Sequence, residues 1–318
     1  MLKFSGSSVV AALLIAVVFG AFFFCEYLIY FPTILKCAWP KLSRARGGEG
    51  TDGRPADAAV RAMVLSDTHL LGAVGGHWFD KLRREWQMER AFQTALWLLK
   101  PEMVFILGDI FDEGKWSSQK HWEDDVRRFH RMFRHSSDTE LVVLVGNHDI
   151  GFHYDEGKTF PLEECFYLKG KISTYFIYDA SCTGQDAAPP EERHLLFREK
   201  YDVLSKEASQ RLLQWFKPRL ILSGHTHSGC EVLHDNKYPE ISVPSFSWRN
   251  RNNPSFILAS VSPGGHSLSK CFLPEESTVI GVYCSAGAGL LLLFLGHCLW
   301  MKGLLQLSLC LLGKHKSL

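Results

Sequence analysis

The spacing of apolar residues changes twice along this chain and divides it into three stretches. From Phe4 to Cys25 there are 22 residues without a charge, and from Ser277 to Met301 a further 25 without Asp, Glu, Lys or Arg. About 20 such residues cross a bilayer as a helix, so each end predicts a membrane span. The middle is different. There, residues 61–66, 103–107, 141–145 and 219–223 are short apolar runs that read as buried strands. Residues 81–99 and 119–135 carry helical spacing, with Leu82, Trp86, Ala91, Ala95 and Leu98 apolar among Lys and Arg. Strand, helix, strand, helix, strand is an α/β pattern with buried parallel strands. Short strands near 229–234, 240–244, 255–260 and 267–273 follow, expected to be antiparallel. The reading is a sheet sandwich flanked by helices.

These patterns set the boundaries. Residues 1–31 form a transmembrane anchor, 32–58 a linker that is polar and Gly-rich over 43–58, and 59–276 a soluble domain. Residues 277–301 form a second spanning helix and 302–318 a tail. Lys302 interrupts the second apolar run, so a short interfacial piece is expected after it, with one long tilted helix as the alternative. A cleaved signal peptide fits the first run less well than a retained anchor. Its apolar core is longer than the roughly 7–15 residues of a signal, and no small-x-small site follows closely.

Charge is balanced, with 35 Lys+Arg against 34 Asp+Glu, so no nucleic-acid or other polyionic partner is indicated. Two spans place both termini on one side. The tail Lys314-His315-Lys316-Ser317-Leu318 puts lysines third and fifth from the end. That spacing resembles a dilysine retrieval signal, which works from the cytosol and would leave the middle domain luminal. The positive-inside count points the other way, with Lys3 alone before the first span and Lys36, Lys41, Arg44 and Arg46 after it. The tail is given more weight here. Asn253-Pro254-Ser255 is not a glycosylation acceptor, because of its proline. Of nine cysteines, Cys25, Cys284, Cys298 and Cys310 sit in apolar runs. Cys37, Cys165, Cys182, Cys230 and Cys271 would be luminal and allow one or two disulfides, whose pairing stays open. No C-x-x-C pair exists to suggest a zinc or redox motif.

The chemistry appears where the strands stop. Asp67-x-His69, Gly108-Asp109, Gly146-Asn147-His148 and Gly224-His225-x-His227 each begin at the end of an apolar run. Singly these motifs are common turns or surface pairs. Their joint placement predicts one site, because open α/β sheets bind ligands outside the carboxyl ends of their strands. Carboxylate, amide oxygen and imidazole suit borderline to hard divalent ions. Two such ions side by side activate a water and hold phosphoryl oxygens during in-line attack, so no Ser or Cys nucleophile is needed.

The ordered set resembles the calcineurin-like metallophosphoesterase superfamily. The resemblance implies a four-layer α/β/β/α sandwich, here flanked by an N-terminal and a C-terminal transmembrane helix. It also implies roles: Asp67, His69 and His227 on one ion, Asp109 between the two, and Asn147 and His225 on the other. His148 would protonate the leaving oxygen or stabilise phosphoryl charge, with Asp149 orienting it. Within that superfamily, residues 146–154 and 243–256, the two spans and the Lys-x-Lys tail resemble the GPI-glycan-remodelling metallophosphoesterases of the early secretory pathway. That likeness covers roughly 1–153 and 185–318. It implies two Mn²⁺ ions and removal of an ethanolamine-phosphate branch from a GPI mannose. GPI-anchored proteins would be substrates, and the coat machinery would read Lys314 and Lys316. The settings would be ER exit sites, the ER–Golgi intermediate compartment and the cis-Golgi.

One part of the pattern is missing. The family carries a further His ligand, in a His-x-Pro-type motif between Asn147 and His225, and this chain has none there. Residues 155–183 look unlike the relatives, as though a segment had been deleted and a short one substituted. The second ion would then lack a ligand unless His153 or His194 replaced it. A catalytically impaired member of the family is the competing expectation, and a cytosol-facing phosphoesterase acting on soluble nucleotides is a third.

Overall fold

A computed structural model describes residues 6–42, 59–150, 182–193, 197–199 and 203–315. Two units divide the chain: residues 30–275, and the two ends, 1–29 with 276–318.

The first unit is built on two sheets. Parallel β1 (Val60–Ser66), β2 (Met103–Leu107) and β3 (Glu140–Leu144) are joined through helices α3 (Trp78–Leu99) and α4 (Gln119–Met132). Helices α1 (Gly6–Phe23) and α2 (Tyr30–Ile34) precede them, and the four-residue α5 (Asn147–Ile150) follows β3. Then come α6 (Lys206–Phe216), β4 (Ile221–Ser223), β5 (Cys230–His234), β6 (Tyr238–Ser242), β7 (Ser255–Ser262) and β8 (Gly265–Phe272). The larger sheet has the order β3-β2-β1-β7-β8 and the smaller β4-β6-β5. β7 runs antiparallel to both β1 and β8, and β5 antiparallel to β6. The strands expected to be antiparallel pair so, β5 with β6 and β7 with β8, while β6 also runs parallel to β4.

Alternation along β1 explains the layering, since successive side chains point to opposite faces of a sheet. Val64 joins Leu107 and Ile257 of its own sheet, Leu222 and Ile241 of the smaller sheet, and Val243 just after β6 in one apolar cluster. Met63 and Leu65, buried on the other face, call for a helical cover. α3 supplies a matching stripe, with Met88, Ala91, Phe92, Ala95 and Leu99 buried at 3–4-residue spacing. Phe92 meets Phe133 at the end of α4, ring centroids 4.9 Å apart.

Part of the stretch expected as linker over 32–58 is docked on the sheet-bearing unit. Ile34 is fully buried, Cys37 is bonded to Cys271, and the Trp39 indole donates to the Leu99 carbonyl at 2.9 Å. This stretch is apolar enough to dock, and the disulfide fixes it. Residues 43–58 lie outside those described, as do residues 151–181 and His194. A second disulfide joins Cys182 to Cys230, resolving the open pairing for these four cysteines.

In the other unit, the chain has two stretches long and apolar enough to cross a membrane, Ser8–Ile34 and Glu276–Gly303; the end of the first, Tyr30–Ile34, belongs to the sheet-bearing unit. Phe22 and Tyr283 meet edge to face between α1 and α7 (Glu276–His315), centroids 5.4 Å apart. α7 is continuous for 40 residues, so the separate interfacial piece expected after Lys302 is not formed. Neither Lys302 nor Gly303 interrupts backbone hydrogen bonding as a proline would.

Candidate metal centre

All four motifs converge at the carboxyl ends of β1, β2, β3 and β4. The loops after β1 and β2 are zipped together: His69 N donates to the Asp109 carbonyl at 3.0 Å, Leu70 N to Ile110 at 2.8 Å, and Asp112 N to Leu70 at 2.9 Å. Two glycines permit the remaining approach. A Cβ on Gly146 would collide with the amide and carboxylate of Asp109, and one on Gly224 would collide with Ser66 Oγ and the Leu107 carbonyl.

The result is a dense donor set. Ligand atoms of Asp67, His69, Asp109 and His227 all lie within 4.8 Å of one another. His225 approaches Asp109 separately, with Nδ1 3.4 Å from Oδ2, and its amide donates to both oxygens of Asp67 at 2.9 and 3.0 Å. Asn147 is buried at the start of α5, next to His148, whose amide donates to Asp109 Oδ1 at 3.0 Å. Asp67, His69, Asp109, His225 and His227 all have positive φ, between 43° and 74°. Such conformations are uncommon for non-glycine residues, and strain of this kind concentrates where function requires it.

Electrostatics fits a cation. Burial and the neighbouring charge of Asp109 push the Asp67 carboxyl up to about 7. Asp109 is also buried, yet its contacts with His225, His69 and the His148 amide hold it below the ordinary range. Burial and the adjacent His69 and His225 depress His227 to about 3, so it is a neutral imidazole. His69 Nε2 and His227 Nε2 face each other at 3.1 Å. Two buried carboxylates beside facing imidazole nitrogens form a poor environment for themselves and a good one for divalent ions. Asp67, His69, Asp109 and His227 would hold one ion, with Asp109 shared toward Asn147 and His225. Among the described residues, no further His, Cys, Asp or Glu completes a set around His225, and His153 and His194 lie outside those residues.

Asp149 does not take the role expected of it. Its buried carboxylate accepts from Gly146 N at 2.6 Å, Phe111 N at 2.8 Å and Ile110 N at 3.2 Å, tying the β2 and β3 loops together. Desolvation and the Asp109 charge outweigh those bonds and raise it to about 7. The His148 ring is oriented instead by the Asp112 carbonyl, 3.0 Å from Nδ1. Burial lowers the His148 pKa.

Several supporting residues carry no signal that spacing could reveal. Ser66 Oγ donates within 2.7 Å of both Asp67 Oδ2 and the Leu107 carbonyl. Asp112 Oδ1 lies 3.1 Å from His69 Nδ1, on the ring edge opposite the one that faces the centre. The loop after β6 then reaches two of the motifs and Asp112. Ser245 Oγ donates to the Asp67 carbonyl at 2.7 Å, Arg249 Nη2 to Asp112 Oδ2 at 2.9 Å, and Arg251 Nη1 to the His227 carbonyl at 3.3 Å. The 243–256 block was conspicuous in the sequence, but its bracing function is visible only in the fold.

A buried Asp/His cluster at the carboxyl ends of a mixed α/β sandwich is a metallophosphoesterase arrangement, and the chain belongs to the calcineurin-like phosphoesterase family, whose model matches residues 60–229. Among its relatives, a Danio rerio protein named Metallophosphoesterase 1 is 49% identical over 388 aligned residues, with 100% of each chain covered. A Rattus norvegicus protein of the same name is 49% identical over 354 residues, covering 89% of this chain and 88% of its own. The Danio rerio alignment exceeds this chain's 318 residues by 70, so about that many aligned positions have no counterpart here. A solved metallophosphoesterase from Sphaerobacter thermophilus is 13% identical, covering 72% of this chain and 94% of its own, with a TM-score of 0.30.

Proposed function

We propose that this chain is a membrane-anchored, two-metal phosphoesterase that removes an ethanolamine-phosphate branch from a GPI mannose in the early secretory pathway. The observation that carries the hydrolytic part is the convergence of Asp67, His69, Asp109 and His227 within 4.8 Å. Bound divalent ions, Mn²⁺ on this reading, supply Lewis acidity and an activated water. The protein's own groups do the rest. Asp112 fixes the His69 ring by accepting from Nδ1, which leaves Nε2 to face the centre. The Asp112 carbonyl fixes His148 likewise, so His148 Nε2 is the atom that exchanges a proton with the leaving oxygen.

The setting rests on separate support. Disulfides Cys37–Cys271 and Cys182–Cys230 suit an oxidising compartment, which supports a luminal sheet-bearing unit on this reading. Two helices able to cross a membrane would leave both ends on one side, the cytosol on this reading, where coat machinery would read Lys314 and Lys316. GPI-anchored proteins are the substrates on this reading, promoting their transport from the ER to the Golgi.

The purified chain should hydrolyse a generic phosphodiester with Mn²⁺ and lose that activity in Asp109→Asn. Two bound metals without any turnover would refute the catalytic reading. The second reading, a catalytically impaired family member, is favoured by the roughly 70 aligned positions of the Danio rerio relative that have no counterpart in this chain. It requires about one ion or fewer per chain.

A further inference from the structure

The end of the domain that carries the metal centre also carries an exposed apolar patch. Val74 is 87% exposed, Trp78 and Trp116 69% each, Leu82 60% and Phe79 52%. The patch is continuous with the site in sequence and structure. Trp78 and Phe79 open the helix that follows the His69 loop, and Trp116 lies four residues after Asp112. The two loops are clamped together, because the Glu113 carboxylate accepts from Val74 N at 2.9 Å and also from Gly75 N. Lys81 Nζ adds a bond to the Gly72 carbonyl at 3.2 Å.

Two observations say what covers this patch. First, the chain leaves the domain beside it. Phe79 and Arg83 share one face of α3, four residues apart. The Arg83 guanidinium lies 5.5 Å from the Trp248 ring centroid, and the Trp248 indole donates to the Pro274 carbonyl at 2.9 Å. The register agrees: Ile257 pairs with Val64 and Phe272 with Ser255, so the end of β8 is level with the site end of β1. Glu276, two residues after Pro274, begins the helix able to cross a membrane. Second, the composition is interfacial. Tryptophan and phenylalanine stand beside cations, with Lys115 Nζ 4.5 Å from the Trp116 ring centroid. Rings of this kind gather at headgroup level, and basic neighbours favour lipid phosphates.

We propose that Val74, Trp78, Phe79, Leu82 and Trp116 seat the domain in the headgroup zone of the bilayer that the C-terminal helix enters. The metal centre is thereby presented to phosphoester groups held just above a lipid surface. A docked patch also holds the domain in one orientation, which the two tethers alone do not.

The test reads position and not turnover, so its outcome is independent of whether the chain is an active hydrolase. The full chain is reconstituted in phosphatidylcholine vesicles with brominated or plain acyl chains, and tryptophan emission is compared. Replacing Trp78 and Trp116 together by Phe should remove roughly half of the bromine-quenched emission, because interfacial rings lie within reach of the acyl bromines. Trp215→Phe should leave the quenched part unchanged: Trp215 is 74% exposed at the end of α6, which leads into the amino end of β4, away from the site. Val74→Trp should add quenched emission. An unchanged quenched fraction in the double variant, or no gain in Val74→Trp, would overturn the proposal, and a patch buried against a second copy would give that result.

Discussion

Arg249 and Asp112 are joined at 2.9 Å, and the other oxygen of the same carboxylate lies 3.1 Å from His69 Nδ1. A residue of the loop after β6 thus acts on a candidate ligand of the loop after β1 through one of the loop after β2. Burial opposes ionisation of Asp112, but hydrogen bonding and charge from His69 and Arg249 hold it at about 2. The carboxylate therefore stays charged and keeps the His69 ring turned toward the centre.

Truncating this relay should loosen the metal before it alters the fold. Outer partners of metal-bound histidines typically contribute 10–100-fold in affinity or activity. Arg249→Ala is expected to weaken Mn²⁺ binding by about that factor, with Asp112→Asn costing at least as much. Calorimetric titration of both variants measures it. Equal affinity in all three proteins would remove Arg249 from the site.

Metal binding should depend on pH in one direction. Below about 7 Asp67 is protonated, because burial and Asp109 disfavour its charge. An ion must displace that proton and the one that His69 holds more tightly beside Asp112, Asp109 and Asp67, so affinity rises with pH by at least about tenfold per unit below 7. The apo domain behaves oppositely. Asp67 has a folded pKa above its unfolded value of 3.8, so its contribution to stability is present below pH 4 and declines as pH rises toward 7. Melting curves with and without Mn²⁺ at several pH values should therefore diverge as pH increases.

Gly146→Ala probes how closely the loops approach. The added methyl would meet the Asp109 amide and carboxylate. Overpacking of that kind costs about 1–3 kcal/mol, and here the relief must move a metal ligand. We expect a lower melting temperature together with reduced metal content. An alanine variant that binds metal normally would show that the loops separate freely.

The disulfides predict a redox dependence of stability. Cys37 and Cys271 are 234 residues apart in sequence, with Cα atoms at 5.4 Å. Losing a native disulfide from a small secreted domain costs about 2–5 kcal/mol, so Cys271→Ser should lower the melting temperature measurably. Its metal stoichiometry should stay unchanged, because neither cysteine belongs to the candidate ligand set.

The sequence picked out the Asp and His residues that the fold brings together. Short apolar strands ending in Asp, Asn, His and Gly are a local pattern, and a strand buried on both faces cannot be polar until it emerges. Asp67, His69, Asp109 and His227 were therefore legible, as were both apolar ends. What the strands bury also fixed their approximate limits. Only the tertiary structure decided the contacts that link one loop to another. Asp149 turns away from His148 because three backbone amides claim its carboxylate. Asp112 and Arg249 meet across 137 residues, and Ser245 reaches Asp67 across 178. Periodicity and spacing report on neighbours along the chain. Hydrogen bonds between distant loops depend on how the sheets pack, and that geometry exists only once the chain has folded.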